Sequence, residues 1–406
     1  MPDSNVIDEP VIVESEPPSP GAIAVPTLPL PVTLGLLVLT YWCVDIVSPT
    51  LPVLRDDLAL TATAAGLVMS LFFGGRLLAT LPAAYLIDRI GPRWTAAGGA
   101  AILLVGSVLV ALAIGLSTLL PARMLQGAGV ALLVSAGLLS VLRALPGGGA
   151  AMTAFNVAAG VGSAAGLAAG GILTTAIGWR APFWLTAGLA AAMLVAAALS
   201  RPTTGSKAVH RDEESAQRDG AVPVRHVLTP LAANLLVYAN YAIWVVGLPL
   251  YAAGRFGSDA NQVGVLLLIL NAIHLAAAFP AGRAIRHLGP KPVLIAGLAT
   301  TAVGLLLVRS APTVWWMLAP MALYAVGEIS ANSAAGDLLL RMGGGGGRAV
   351  GMVRLSSDVG IVVGPAFAGW LADEAGLGAP FVAFGVLSAF AVVVLLAQQR
   401  VRTLPG

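Results

Sequence analysis

The sequence predicts an all-α integral membrane protein with twelve transmembrane helices in two six-helix, pseudo-symmetric bundles. Three observations predict it. Only 10% of the 406 residues are charged, 58% are hydrophobic, and the mean hydropathy is +0.89. A soluble domain carries about 25% charged residues, so this chain is too poor in charge to cover a water-facing surface. Twelve apolar runs, each near the roughly 20 residues that a span needs, are divided six and six by one polar stretch. The two sets of six share motifs at a constant offset of 198 residues.

Residues 1–29 hold five acids (Asp3, Asp8, Glu9, Glu14, Glu16), the Pro-rich run EPPSP and no Lys or Arg. They have too little apolar surface to offset the entropy of ordering, and read as a disordered acidic tail. A signal peptide would need a basic n-region, which this tail lacks. The N-terminal bundle, residues 30–200, has runs near 30–54, 62–87, 94–115, 117–142, 150–176 and 181–200. Residues 201–226 form a polar cytoplasmic linker. The C-terminal bundle, residues 227–399, has runs near 227–253, 260–285, 292–310, 312–340, 347–372 and 377–398, and residues 400–406 are a tail. The glycine run at 343–347 lacks the Lys-Ser/Thr pair of a phosphate-binding loop and reads as a flexible link.

Loop cations orient the spans. With the termini inside, fifteen Lys and Arg lie in cytoplasmic segments and four (Arg55, Arg180, Arg255, Arg309) in outer loops. That bias supports both termini in the cytoplasm of a multi-pass plasma-membrane protein. The basic residues form no stripe for nucleic acid. Cys43 stands alone, so no intrachain disulfide exists. Four scattered histidines give no metal-ligand spacing. Neither a cofactor, a metal nor enzyme chemistry is expected, and energy would come from an ion gradient.

The repeat is specific. AYLIDRIGPR at 84–93 aligns with GRAIRHLGPK at 282–291, and Gly162, Gly166 and Gly171 align with Gly360, Gly364 and Gly369. Arg76 falls on His274 at the same offset. Parallel six-span repeats place a substrate site between the halves.

Four motifs add a resemblance over residues 30–400. They are Asp88-Arg89-Ile90-Gly91-Pro92-Arg93 after span 2; Leu119-x-x-x-Arg123-x-x-Gln126-Gly127-x-Gly129 in span 4; the Gly162-x-x-x-Gly166-Leu167-x-x-Gly170-Gly171 ladder in span 5; and Asp45 followed by SPTLPVLRDDL in span 1. Together they resemble the major facilitator superfamily, and within it the twelve-span drug:proton antiporters. Three departures stand out: Ala84 for a Gly, Pro92 for a basic residue, and Leu167 for the span 5 Pro, which appears only at Pro365 in span 11. The resemblance implies the major facilitator fold and alternating access. It implies a conformational latch at Asp88, Arg89, Gly91 and Arg93, and helix packing and gating at Gly162, Gly166, Gly170, Gly360, Gly364 and Pro365.

Charges inside spans are costly and usually functional. Asp45, Arg123 and Glu328 are therefore the expected proton-coupling residues, with Asp45 as the expected partner of Arg123; a purely structural buried pair is the other reading. Burial and a neighbouring cation act in opposite directions on a carboxyl group's proton. Arg354 and Asp358 are spaced to salt-bridge on one helix face, and Asp337 reads as loop or latch chemistry. Asn234, Tyr238 and Tyr241 share a face of span 7, with Trp244 beside them. With Asn271, His274 and Asn332 they are the expected substrate contacts, where aromatic rings and amides suit an amphipathic or cationic ligand. His274 and Arg76 read equally as packing residues. The expected function is proton-coupled export of small organic compounds. Uptake of a metabolite, or a transport-inactive receptor on the same fold, are the alternatives. The expected partners are a small organic substrate, protons and the lipid bilayer, with no nucleic acid, and the expected state is a monomer.

The orientation is directly testable. On a Cys43→Ser background, Ser4→Cys and Thr403→Cys should react with a membrane-impermeant maleimide only after permeabilisation. Labelling in intact cells would place that terminus outside.

Overall fold

The computed structural model describes residues 25–145, 148–201, 203–205, 224–342 and 347–403. In the N-terminal half, α1 (Leu30–Asp45) and α2 (Val47–Asp57) make one span bent by 41°. Then come α3 (Ala62–Ala111), α4 (Leu116–Ala144), α5 (Gly148–Ala176) and α6 (Ala181–Leu199). In the second half, α7 (Val224–Ala239), a π-turn at Ile243–Gly247 and α8 (Leu248–Phe256) form one span. They are followed by α9 (Ala260–Leu288), α10 (Pro290–Leu307), α11 (Leu318–Met342), α12 (Gly347–Ala375) and α13 (Ala379–Thr403).

Nine described helices are long and apolar enough to cross a bilayer, and the bent α1–α2 pair makes ten. The 50-residue α3 is two spans, because Gly91 is non-helical at φ 80° and ψ 166°. The 25-residue α11 is long enough as well, but carries Glu328, Asp337 and Arg341. The described helices thus accommodate the twelve expected spans.

Two boundaries differ from the sequence reading. Residues 25–29 are ordered: β1 (Val25–Thr27) pairs antiparallel with β2 (Thr203–Gly205) from the linker, and Leu28 is buried. The ladder satisfies backbone groups that composition alone assigns to water. The rest of the expected disordered tail, residues 1–24, and residues 206–223 of the linker lie outside the described residues. The run expected at 312–340 becomes helical only at Trp315–Met317 (a 3₁₀ turn) and Leu318. Pro312 fixes φ and lacks the N–H that a helix interior uses.

The duplication extends to backbone detail. Gly91 and Gly289 have matching dihedrals, φ 80° and ψ 166° against φ 83° and ψ 164°. A positive φ is open to glycine at no steric cost. Thr61 and Asp259, also 198 apart, each cap the helix that follows, accepting from Ala64 N at 3.1 Å and Gln262 N at 2.7 Å.

The halves meet along two seams that repeat one another. A side-chain carbon on Gly66 of α3 would sit 2.2 Å from the Pro365 carbonyl oxygen of α12; one on Gly264 of α9 would sit 2.8 Å from the Leu167 carbonyl oxygen of α5. One turn further, Gly369 faces the Ala62 carbonyl and Gly171 the Ala260 carbonyl. Such contacts need small residues. Hydrogen bonds close the same end. The Asp373 carboxylate accepts from Ala62 N (2.8 Å), Thr63 N (2.7 Å) and Thr63 Oγ1 (2.6 Å). At the equivalent place, Thr175 Oγ1 accepts from Asn261 N at 3.0 Å. At the opposite end, which carries Gly91 and Gly289, the repeat-related Leu81 and Phe279 are 81% and 83% exposed. Among the described residues, the close backbone contacts and hydrogen bonds of these seams thus gather at the Ala62/Ala260 end.

Of the expected packing and gating set, only Pro365 builds these seams. Gly162, Gly166 and Gly170 press on Val38, Trp42 and Ile46 of the first span, and Gly360 and Gly364 on Leu235 and Ala239 of α7. Those five pack helices within one half. Pro365 faces across, and Ala366 N next to it donates to Ser70 Oγ of α3 at 3.0 Å.

Overpacking of this kind costs about 1–3 kcal/mol. Gly66→Leu should reduce the closed population about fivefold or more. The yield of a Thr175→Cys/Asn261→Cys cross-link on the Cys43→Ser background reads it, and an unchanged yield would show that the seams move independently.

Candidate functional site

The polar residues of the spans form two linked clusters below the seams. One bridges the halves. Asp45, at the bend between α1 and α2, accepts a hydrogen bond from Tyr241 Oη at 3.1 Å and is also hydrogen-bonded to Ser163. The Tyr241 ring lies edge-on to Phe73 of α3, 5.8 Å between centroids, and Arg76 stands 5.4 Å over Phe73. Arg76 Nη2 lies 3.4 Å from Asp358 Oδ1 of α12. Arg354, one turn before Asp358, approaches the other carboxylate oxygen at 3.7 Å. Tyr238 hydrogen-bonds Ser357.

The second cluster lies within the C-terminal half. His274 Nδ1 is 3.2 Å from Glu328 Oε2, although the pair lacks hydrogen-bond alignment. Glu328 is hydrogen-bonded to Asn332, and His274 to the backbone of Ala325. Trp244 is edge-on to His274 at 5.9 Å and tilted against Tyr324 at 5.7 Å. Tyr324 Oη donates to the Asn240 carbonyl at 2.8 Å. That carbonyl also accepts from Ile243 N at 2.9 Å, so both of its lone pairs are used where the helix breaks ahead of the π-turn. Glu328 is within electrostatic reach of Tyr238 and Tyr241, which links the clusters.

Several expected residues belong elsewhere. Asp45 is not the partner of Arg123. Arg123 is fully buried in the N-terminal half, where it donates to the Gln126 side-chain carbonyl (2.6 Å) and the Val68 backbone carbonyl (3.3 Å). It also lies 4.4 Å over Phe72. Gln126 in turn donates to Ser107 at 2.9 Å. The cation is thus met by neutral dipoles and a ring face, while Asp45 sits at the bend facing α7. Asn234 is not on the cavity face: it is fully buried and donates to Ser356 (2.8 Å), Ser357 (2.9 Å) and the Val353 carbonyl (3.3 Å), tying α7 to α12. The turn at Asn240 and Tyr241 separates it from Trp244, which lies in the π-turn. Asn271 is half-buried on α9, one turn before His274.

In the expected latch, Asp88 is exposed and within electrostatic reach of Arg143 at the end of α4. Arg89 donates to Tyr85 at 2.8 Å, and Arg93 donates to the Ala198 carbonyl at the end of α6. These contacts stay within the N-terminal half. Arg341 pairs with Asp337 at 2.8 Å. The sequence reading missed Phe73 and Asp373. Asp373 reads as an ordinary loop acid until α3 is brought to it.

Comparison with known proteins gives consistent results. The model of the Major Facilitator Superfamily matches residues 33–257 and 231–405. The tetracycline resistance protein of class C from Escherichia coli is 35% identical over 89 residues, 22% of each chain. Its class E counterpart from the same organism is 27% identical over 150 residues, 35% of this chain and 36% of that one. The matches thus span about a third or less of these relatives. Among solved structures, a bacterial homologue of the human lysosomal transporter Spinster, inward-facing and occupied, superposes with a TM-score of 0.73 at 15% identity, covering 91% of this chain and 96% of that one. A D-xylose–proton symporter superposes with a TM-score of 0.67 at 17% identity, covering 90% and 95%. At such identities the likeness is one of fold.

The hydrogen bonds separate packing from binding roles. Asn234→Ala leaves Ser356 and Ser357 without their shared donor and should cost about 1–3 kcal/mol. It should lower the thermal midpoint of the purified protein while leaving ligand affinity within about twofold. A large affinity loss at unchanged stability would return Asn234 to the binding face.

Proposed function

Because the chain belongs to the Major Facilitator Superfamily, we propose that this transporter exports small organic compounds in exchange for protons, with Asp45 and Glu328 as the proton-bearing carboxylates. The observation that carries this reading is that both acids sit in the central clusters with, among the described residues, no Lys or Arg within ion-pair distance. Asp45 has Tyr241 and Ser163, and Glu328 has Asn332 and His274.

The mechanism follows from the cost of moving charge away from water. A carboxylate without a fixed cation crosses between the two faces at lowest cost when it holds a proton or a positively charged ligand. Two occupants that exclude each other on one carboxylate give exchange. Asp45 lies at the α1–α2 bend and touches Tyr241 of the other half. Its occupancy therefore acts on a contact between the halves. His274 Nδ1, 3.2 Å from Glu328 Oε2, is the nearest nitrogen on the path of that proton. Arg123 acts here as a positioning residue. By gripping the Val68 carbonyl and the Phe72 ring it fixes the stretch of α3 that presents Phe73 and Arg76.

The cation bias of the loops assigns the Gly91/Gly289 end to the cytoplasm. In that orientation the seams close the outer side, which supports an inward-open reading of this conformation. Asp88 and Arg89 would then be free to engage the other half when the inner side closes. The drug named in two relatives' resistance supports the removal of a small organic compound.

Proteoliposomes with an internal pH dye, screened with a panel of organic amines and amphipaths, test the proposal. Adding a substrate should drive protons in the opposite direction. Glu328→Gln or Asp45→Asn should reduce that proton movement at least tenfold while substrate still binds. Protons moving with the substrate would establish uptake instead, and binding without flux would mark a receptor.

A further inference from the structure

The exchange reading uses Asp45 and Glu328 and leaves two arginines in the central region unexplained. Arg76 of α3 and Arg354 of α12 converge on a single carboxylate, Asp358, which is 7% exposed. Both approaches are long, 3.4 Å and 3.7 Å. A well-made guanidinium–carboxylate pair is bidentate at about 2.7–2.9 Å. A guanidinium has five N–H donors. Arg76 makes one long hydrogen bond to Asp358, and among the described residues Arg354 makes none. The side chain of Arg354 is 60% exposed.

These arginines face the space between the halves. Tyr41 of α1 is within electrostatic reach of both, and Arg76 joins the α3–α12 seam. Asp45, the other acid of this cluster, is engaged by Tyr241 and Ser163, so the contact itself holds two cations on one anion, and an uncompensated charge inside the spans is expensive. The duplication does not require it, since the repeat places His274 opposite Arg76 and Gly160 opposite Asp358. Within electrostatic reach of Tyr241 stands an acid instead, Glu328, with His274 at 3.2 Å and Trp244 edge-on to that histidine.

We infer that Arg76 and Arg354 form an anion-accepting pole, and that the transported compound is a zwitterion whose carboxylate or similar acidic group binds there. This rests on the exchange reading: the cationic part takes the place of the proton at Glu328, near the Trp244 ring. The acidic group competes with Asp358 for the two guanidinium forks. Asp358 is thus a built-in competitor, and an arriving anion enters the contact that joins α3 to α12.

Rhodamine B carries a carboxylate beside its cationic ring system, and its ethyl ester is the same dye without the anion. Fluorescence polarisation with the full-length protein in detergent should find the free acid bound about tenfold tighter than the ester. Arg354→Gln should abolish that preference, whereas Asp358→Asn should enlarge it, a gain that a misfolded variant does not give. The inference is overturned if the free acid fails to bind, binds no better than the ester, or keeps its advantage in Arg354→Gln. Proton movement in dye-loaded proteoliposomes separates the two readings. An acid preference without proton counterflow overturns exchange alone, and counterflow without the preference overturns the anion pole alone.

Discussion

The approach of backbone to backbone at Gly66–Pro365 and Gly264–Leu167 is the constraint on which the rest of the molecule depends. Each places a carbonyl oxygen where any side-chain carbon would collide. The lipid offers helices little hydrophobic reason to associate, so close packing and a few hydrogen bonds hold the halves together. Because the seams lie toward one end, the polar residues below them are gathered from α1, α3, α5, α7, α9, α11 and α12, while Leu81 and Phe279 at the other end stay uncovered. The Asp373 cap on α3 and the Thr175 contact with α9 repeat the same joint with different chemistry, a carboxylate on one side and a hydroxyl on the other.

That difference is one instance of a wider asymmetry. The duplicated backbone supplies a near-symmetric frame, down to the dihedrals of Gly91 and Gly289. The charged residues break it. Arg123 has Met321 opposite, Arg76 has His274, and Asp358 has Gly160. In a bilayer each polar group must find a partner nearby. Arg123 and Asn234 find theirs within one half, whereas Asp45 and Arg76 find theirs across the interface. Groups satisfied inside a half can travel with it as a rigid body. Groups satisfied across the interface must exchange partners whenever the halves move, which is why the candidate chemistry concentrates on Asp45, Arg76, Tyr241 and Asp358.

Much of this was legible in the sequence, for reasons of scale. Span length and hydropathy report on a solvent about 30 Å thick, so most helices could be placed to within a few residues, the start of α11 excepted. The 198-residue offset carried the pseudo-symmetry. Intramembrane charges are few enough that Asp45, Arg123 and Glu328 stood out one by one. Less legible were the partners. The pairing of Arg123 with Asp45 followed from opposite charge alone, but Arg123 lies against α3 with Gln126, and Asp45 points from the bend toward α7. The shared face of Asn234, Tyr238 and Tyr241 assumed an unbroken 3.6-residue period, but α7 ends at Ala239 and Tyr241 lies in the turn that follows.

The sequence by itself thus determined the lipid-embedded class, the twelve spans, the duplication and the short set of costly polar residues, because composition and periodicity are properties of the chain. Only the tertiary structure decided which glycines face the other half, that two arginines share one carboxylate, and that Glu328 meets His274. Those facts depend on the rotation of each helix about its axis and on bends of a few residues. Neither leaves a trace in composition, and both are set by which surfaces pack together.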